Sequence, residues 1–205
     1  MSKVGIIDSG ISNVGSVRNA LDFLDVENFP VFVPGDLDGC SHVILPGDGT
    51  FPAGMRSLER SGLDEALRKV AEAGKPILGI CLGMQLLAAE GFEFEATKGL
   101  GLVPGSVIKL MPNEKALQVP QIGWNALLFR RHTRLAEGLG KNPAFYFMQS
   151  FVFADPAADE VVATCDYGGP VVAMIERGNI IGCQFHPEKS QRAGLKLLRN
   201  FTDLT

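Results

Sequence analysis

Short apolar runs alternate with longer segments, in which apolar residues recur every three to four positions, through the first half of the chain. The short runs predict strands, and the longer periodic segments predict helices. Strands that alternate with helices indicate a parallel sheet covered on both faces. The strands are expected at Val4–Ile7, Phe29–Val33, His42–Leu45 and Pro76–Ile80, and the helices at Ser16–Asp25 and at Ser57–Ala73, with an interruption at Ser61 and Gly62.

The second half of the chain is richer in strands than in helices. Arg177 and Gly178 form a predicted hairpin turn between its last two strands. We therefore expect residues 1–205 to form one α/β domain, in which helices flank a mostly parallel central sheet with an added antiparallel portion. The predicted elements are strands at Val107–Leu110, Trp124–Phe129, Ala144–Phe147, Val161–Cys165, Val171–Glu176 and Asn179–Phe185, and a final helix at Ser190–Asp203.

Cys81 lies at the junction between a predicted strand and a predicted helix. The apolar run Pro76–Ile80 leads into it, and the helix-forming segment Met84–Glu90 follows. This order is typical of a nucleophile elbow, with sulfur in place of the serine oxygen. Gly79 and Gly83, two residues to either side, remove side chains that would clash around a strained turn. A helix N-terminus also favours a thiolate. The alternative is a buried structural cysteine.

His186 is the best candidate for the base that such a nucleophile needs, because the other two histidines lie in less suitable places. His42 is expected at a strand edge, and His132 lies in a polar segment expected at the surface. In extended backbone His186 and Glu188 point the same way, so the carboxylate could hold the imidazole in one tautomer. The alternative is a packed histidine beside a surface glutamate, and the presence of Cys81 favours the catalytic interpretation.

A glycine-rich turn after the strand at His42–Leu45 is a candidate oxyanion hole. Gly47, Asp48 and Gly49 could turn their backbone N–H groups toward one point, and the N–H of Leu82, directly after the nucleophile, would be a further donor. By itself this short motif also fits an ordinary turn. The carboxyl ends of parallel strands are where open α/β sheets bind ligands, and this turn and Cys81 both follow strands.

Composition and charge exclude several classes of function. The net charge of −4 and the pI near 5.4 argue against nucleic acid as a partner, because phosphate binding needs a basic face. The four cysteines lack metal-ligand spacing, and the turn from Asp8 to Ser16 matches neither phosphate-binding template, so we expect neither a metal nor a cofactor. No signal peptide or membrane span is evident, which predicts a soluble, cytoplasmic protein.

Seven segments, in order along nearly the whole chain, resemble those of the class I glutamine amidotransferase family. Within it, the chain is most similar to the glutaminase subunits of imidazole glycerol phosphate synthases. The C-L-G-M-Q and F-H-P-E elements mark the class, and the P-x-x-G-W-N and H-P-E-K-S elements indicate the histidine-pathway subunits. The segments are Ile6–Asp8 with Asn13–Val17, Leu45–Phe51, Gly79–Leu87, Gly99–Gly105, Val119–Asn125, Tyr146–Phe151 and Gln184–Ser190.

The resemblance implies a flavodoxin-like fold and a Cys81, His186 and Glu188 triad that hydrolyses glutamine to glutamate and ammonia. It implies that the ammonia passes to a (β/α)₈-barrel cyclase subunit in a heterodimer. The products would be imidazole glycerol phosphate and an aminoimidazole carboxamide ribotide. The implied site residues are Gln85, Gly49, Ser150 and Phe151 for glutamine, Gly47 to Gly49 with Leu82 for the oxyanion, and Asn13, Trp124, Tyr146 and Lys189 for the subunit interface.

Several positions depart from the family pattern. Asp48 stands where an apolar residue is usual, and we expect its side chain to point outward. Gln121 and Gln149 stand where histidines are usual, and Ser9 and Ser12 differ in the N-terminal turn. These departures suit a paralogous glutaminase that feeds another ammonia-using synthase, for example one making an amidino sugar. A catalytically silent regulatory subunit and a stand-alone cysteine hydrolase are the remaining alternatives.

Overall fold

The computed structural model of the protein describes residues 2–8, 10, 13–114 and 116–204. The departures at Ser9 and Ser12 lie outside these described residues. The helices of the described part are α1 (Val14–Phe23), α2 (Phe51–Ser61), α3 (Leu63–Glu72), α4 (Leu82–Leu86) and α5 (Gln191–Thr202). Its strands are β1 (Lys3–Ile7), β2 (Glu27–Val31), β3 (His42–Leu45), β4 (Ile77–Ile80), β5 (Glu90–Gly91), β6 (Thr97–Lys98), β7 (Ser106–Lys109), β8 (Gln121–Ala126), β9 (Leu128–Phe129), β10 (Ala144–Gln149), β11 (Phe151–Ala154), β12 (Val161–Asp166), β13 (Pro170–Arg177) and β14 (Ile180–Cys183).

The central sheet has eight strands in the order β2-β1-β3-β4-β14-β13-β12-β9. The first five run parallel, and the last three extend the sheet in antiparallel fashion. Every residue of β3, β4 and β14 is buried, as expected for parallel strands covered by helices on both faces. The predicted α/β class, with its mostly parallel sheet and antiparallel portion, is therefore confirmed.

Two apolar cores lie on the two faces of the central sheet. Successive residues of a strand divide between them: Ile44 and Leu78 pack in one core, while Val43 and Ile77 pack in the other. Helices α1 and α5 cover the first face, and α2 and α3 cover the second. No helix in the described ranges is both long enough and apolar enough to cross a membrane.

Helix α2 begins at Phe51, six positions before the predicted start at Ser57. Pro52 belongs to its first turn, where a missing N–H costs nothing. The Phe51 N–H donates a hydrogen bond of 2.7 Å to Glu93 Oε2, which lies far away in sequence. The predicted break between α2 and α3 is confirmed at Gly62, whose φ of 71° is the left-handed conformation that glycine adopts without strain.

The strand predicted at Trp124–Phe129 is two strands in the structure. β8 pairs with β10 in a separate two-stranded sheet, whereas β9 joins β12 at the edge of the central sheet. The change occurs at Leu127, whose N–H donates to Pro143 O at 2.9 Å and whose side chain is buried. A further four-stranded sheet, β11-β7-β5-β6, completes the fold.

Candidate active site

Cys81 occupies a sharp turn between β4 and α4. Its φ of 54° and ψ of −111° are unusual for a residue with a side chain, and such backbone strain concentrates at functional sites. The turn is held tightly against the sheet: Cys81 N donates to Cys183 O at 2.8 Å. A Cβ at Gly83 would lie 1.7 Å from Leu45 O, and one at Gly79 would lie 2.7 Å from Gly83 O, so only glycine fits either position. The predicted strand–turn–helix order around the thiol is confirmed.

His186 follows β14, which ends at the same edge of the sheet as β4 and Cys81. That strand lies parallel to β4, with Cys183 beside Ile80, so the chain beyond β14 passes close to Cys81. His186 Nδ1 and Glu188 Oε1 are 2.8 Å apart, and both side chains are almost completely buried. The hydrogen bond leaves Nε2, which has no hydrogen-bond partner within the described residues, as the nitrogen available for proton transfer.

The electrostatics of this corner favour a charged imidazole. Burial alone would lower the pKa of His186, but interactions with the Cys81 and Glu188 side chains outweigh burial and raise it to about 10. An imidazolium between a sulfur and a carboxylate is stabilised from both sides. The arrangement therefore suits a cysteine nucleophile that is activated by a histidine.

The remaining cysteines have no such environment. Burial raises the pKa of Cys40, raises that of Cys165 to about 11, and raises that of Cys183 well above its ordinary value. All four thiols are free. Because a thiol, unlike a thiolate, is a poor nucleophile, these three cysteines are structural.

The Cys81 thiol opens into a cavity of about 320 Å³. Gly47, Asp48, Gly49 and Leu82 all line it, so the candidate oxyanion turn and the elbow face one space. A Cβ at Gly47 would lie 2.9 Å from Leu82 Cβ, which measures how closely the two turns approach. In the described part of the chain, the N–H groups of residues 47 to 49 donate no hydrogen bond and remain available to a ligand. Asp48 is half-buried, and its side chain forms no hydrogen bond or ion pair with any described residue.

The residues predicted to contact glutamine line the same cavity. Gln85 is buried, and its Nε2 donates to Phe151 O at 2.9 Å, while Ser150 and Phe151 also line the cavity. Sequence reasoning missed Glu93, a buried carboxylate that also lines this space. Its segment, Gly91–Glu95, alternates apolar and acidic residues like an ordinary surface strand, so no sequence signal sets Glu93 apart.

The predicted interface residues lie on elements that contact one another in series. Trp124 and Tyr146 are cross-strand neighbours of β8 and β10 with ring centroids 6.0 Å apart. Lys189 lies in the short 3-10 turn Pro187–Lys189, which packs against both β10 and α1. Asn13 is exposed, and its Oδ1 accepts the Ser16 N–H, so it has a structural role as the N-cap of α1.

Neither of the other histidines lines the cavity that contains the thiol. His132 is exposed, as predicted. His42 is the first residue of β3, at the edge of the strand as predicted, and its side chain is buried. Its Nε2 contacts Leu204 O at 3.0 Å and its ring packs edge-on against Phe201, which ties the C-terminal helix to the sheet.

Gln121 and Gln149 form a buried pair rather than part of an exposed interface. Gln149 Nε2 donates to Gln121 Oε1 at 2.7 Å, and Gln121 Nε2 donates to Asn125 Oδ1 at 2.9 Å. Asn125 in turn donates to Asp166 O at 3.1 Å. The two departures from the family pattern therefore contact each other inside the protein, as cross-strand neighbours of β8 and β10.

Comparison with known families agrees with this fold. A family model described as "Glutamine amidotransferase class-I" matches residues 6–204. The chain therefore belongs to the class I glutamine amidotransferase family.

The narrower resemblance stated from the motifs is also confirmed. The chain is 44% identical to the imidazole glycerol phosphate synthase subunit HisH 2 of Nitrobacter winogradskyi, with 98% of each chain covered. It is 44% identical to subunit HisH of Listeria innocua, with 98% of this chain and 95% of the relative covered. Among solved structures, it superposes on a glutamine amidotransferase with a TM-score of 0.76 at 25% identity, covering 97% and 96% of the two chains.

Proposed function

We propose that this chain is the glutaminase subunit of an imidazole glycerol phosphate synthase, acting as one amidotransferase domain in histidine biosynthesis. In this proposal it hydrolyses glutamine through Cys81, His186 and Glu188 and passes the ammonia to a (β/α)₈-barrel cyclase subunit in a heterodimer. The HisH relatives at 44% identity support the assignment. The observation that carries the chemistry is the buried 2.8 Å contact between His186 and Glu188 beside a strained cysteine.

In the first half of the reaction, the Cys81 thiolate attacks the side-chain carbonyl carbon of glutamine. A C–S bond forms, and the carbonyl π electrons move onto oxygen, where N–H groups of the 47–49 turn and Leu82 stabilise the charge. The oxyanion then re-forms the carbonyl as the C–N bond breaks. His186 Nε2 gives its proton to the departing nitrogen, which leaves as ammonia.

In the second half, water hydrolyses the γ-glutamyl thioester. Neutral His186 takes a proton from the water as its oxygen attacks, and the same oxyanion site stabilises the second tetrahedral intermediate. Collapse breaks the C–S bond, releases glutamate and restores the thiolate and imidazolium. Glu188 acts throughout by fixing the tautomer and stabilising the positive charge of His186.

The cavity also has a group suited to the other end of the substrate. Glu93 has one oxygen committed to the Phe51 N–H at the start of α2, which fixes the carboxylate in the cavity wall. A fixed carboxylate can pair with the α-ammonium group of an amino acid. We infer that Glu93 selects free glutamine, with its charged amino group, over a glutamine residue inside a peptide.

The outer face of the β8–β10 sheet suits the cyclase subunit. Ile122 and Met148 are cross-strand neighbours, as are Trp124 and Tyr146, and together they form a continuous, largely exposed apolar face. Met148 O lies 3.8 Å from the Cys81 Sγ, so this face lies directly beside the nucleophile. Exposed aromatic and methionine side chains are enriched in protein interfaces, and a partner there would receive ammonia at its source.

An isotope-transfer experiment tests the proposal in the complex of this chain with its cyclase subunit. The complex is supplied with the ribulosyl carboxamide ribonucleotide and with glutamine carrying ¹⁵N in the side-chain amide, in a buffer containing excess unlabelled ammonium. We expect the imidazole product to carry the ¹⁵N label almost undiluted, because ammonia passes between subunits without reaching solvent. Label diluted to the composition of the buffer would contradict direct transfer, and absence of glutamate would contradict the glutaminase assignment.

The raised pKa of His186 predicts an unusual pH dependence. Since the imidazolium must supply the proton for departing ammonia, activity is lost when it deprotonates, near pH 10 rather than near 6.5. We expect kcat/KM for glutamine to fall on the alkaline side only near that pH. In Glu188→Gln, which loses one of the two groups that raise the pKa, the fall should begin at lower pH. An alkaline limb at the same pH in both proteins would contradict the role given to Glu188.

A further inference from the structure

We propose that Gln184 is a further catalytic residue, which donates a side-chain N–H to the Cys81 sulfur and stabilises it as a thiolate. The proposal rests on the function proposed above and adds a residue to its nucleophile. Gln184 Nε2 lies 3.8 Å from Cys81 Sγ, within the range of an N–H···S hydrogen bond. Its sequence position, two residues before His186, places it at the end of β14 on the same edge of the sheet.

The orientation of the Gln184 amide is fixed by its neighbours. Phe151 O can only accept, so the Gln85 atom facing it must be the amide nitrogen. That same nitrogen contacts Gln184 at 3.1 Å, so the Gln184 atom facing it must be the acceptor, Oε1. Gln184 therefore has only its NH₂ group left to direct at the sulfur. A reversed amide would set two donors against each other at one end and an oxygen against the thiolate at the other.

Burial makes this contact effective. Gln184 is fully buried and Gln85 is nearly so. Gln184 N also donates to Ala173 O at 2.9 Å, which continues the pairing of β13 and holds the backbone in place. A donor that is already oriented loses no freedom when charge develops on the sulfur. A hydrogen bond to a charged atom is stronger than one to a neutral atom, so the contact favours the thiolate over both the thiol and the thioester.

The contact completes the environment of the nucleophile. His186 supplies positive charge on one side of the sulfur, and Glu188 and the Cys183 thiol are the other ionisable groups that interact at this corner. Gln184 supplies a neutral donor from within the protein. Because the Gln184 amide is neutral, its hydrogen bond to the sulfur remains after His186 transfers its proton to the leaving nitrogen. The same hydrogen bond stabilises the sulfur as the leaving group when the thioester is hydrolysed.

The same chain of amides links the substrate cavity to the nucleophile. Gln85 lines the cavity and is the group that orients Gln184. Loss of the Gln85 amide would allow Gln184 to rotate and present its oxygen to the sulfur. A substitution at Gln85 is therefore expected to reduce the reactivity of Cys81 even toward a small reagent that does not resemble glutamine.

The test measures alkylation of Cys81 by iodoacetamide, a small neutral reagent, in the full chain bound to its cyclase, with modification read from the Cys81 peptide by mass spectrometry. For Gln184→Met, which keeps size and removes the donor, we expect alkylation at pH 7 to be about ten-fold slower, and the deficit to close at high pH, where the thiol ionises without help. Gln121→Met, an equally buried glutamine with no contact to the thiol, is the matched control and should alkylate at the parental rate.

Gln85→Leu provides the second variant and should also slow alkylation several-fold. Equal rates at pH 7 in the parent, Gln184→Met and Gln85→Leu would overturn the role of Gln184, as would a deficit in Gln184→Met that is the same at every pH. If Gln184→Met does not fold, the Gln85→Leu comparison decides alone. A parent complex that forms no glutamate from glutamine would instead contradict the proposed function, so the two failures are distinguishable.

Discussion

Glutamine-dependent synthesis by the complex is expected to fall by roughly 10⁴-fold or more when Cys81 is replaced with serine. The serine hydroxyl is a much weaker nucleophile than a thiolate, and its proton is far harder to remove, so serine cannot form with His186 the ion pair that activates the sulfur. Synthesis supported by added ammonium salt should remain close to the parental rate, because the cyclase reaction does not use the thiol. The measurement is product formation with each nitrogen source in turn.

The ammonium-dependent rate is also the control for folding and assembly in that experiment. A Cys81→Ser complex that loses both rates has lost its structure or its partner and not only its nucleophile. Retention of glutamine-dependent synthesis would contradict the assignment of Cys81. It would also leave the strained turn around residue 81 without a function.

Gly83→Ala is expected to destabilise the protein by about 3 kcal/mol or more, at the upper end of the usual cost of overpacking. The added Cβ would lie 1.7 Å from Leu45 O, a backbone atom of the central strand β3 that no side-chain rotation can move. For a domain of this size we expect the thermal midpoint to fall by about 10 °C. Any molecules that do fold must shift the elbow away from β3, and misplacement by about 1 Å can cost 10²-fold in rate.

Gly35→Ala is the matched control for this substitution. No atom lies within 4 Å of a Cβ built at Gly35, and its φ is not in the left-handed region. Its effect should stay within about 0.5 kcal/mol. A thermal midpoint for Gly83→Ala that equals that of Gly35→Ala would contradict the close packing of the elbow against β3.

The fold was predictable wherever local pattern decides structure. Buried strands such as β3 appear in the sequence as short apolar runs, and the break at Gly62 follows from the conformational freedom of glycine. The two-residue strands β5 and β6 were not predicted because they are too short to carry a period. The early start of α2 was missed because the Phe51 N–H is satisfied by Glu93, a partner 42 positions away.

The candidate site likewise has some residues that the sequence could predict and others that it could not. Cys81 and His186 follow predicted strands directly, and Glu188 lies in the short turn after His186, so local motifs make all three visible in the sequence. Gln184 and Glu93 have no such signal of their own, because their chemistry depends on which distant groups they contact: the thiol and Gln85 for the first, and the α2 N-terminus for the second. Only three-dimensional structure shows that one amide lies against a reacting sulfur while another, at Gln121, lies in a structural pair.

A glutamine-like electrophile tests most directly whether sulfur, imidazole and carboxylate act together on one substrate. A diazo ketone analogue of glutamine is incubated with the parent complex, with Glu188→Gln and with His186→Asn, and adduct formation at each cysteine is followed by mass spectrometry. The account predicts rapid, saturable modification of Cys81 alone in the parent, slower modification in Glu188→Gln and the slowest in His186→Asn, with glutamine protecting each protein. An unmodified Cys81 in the parent complex, or modification at the same rate in all three proteins, would contradict it.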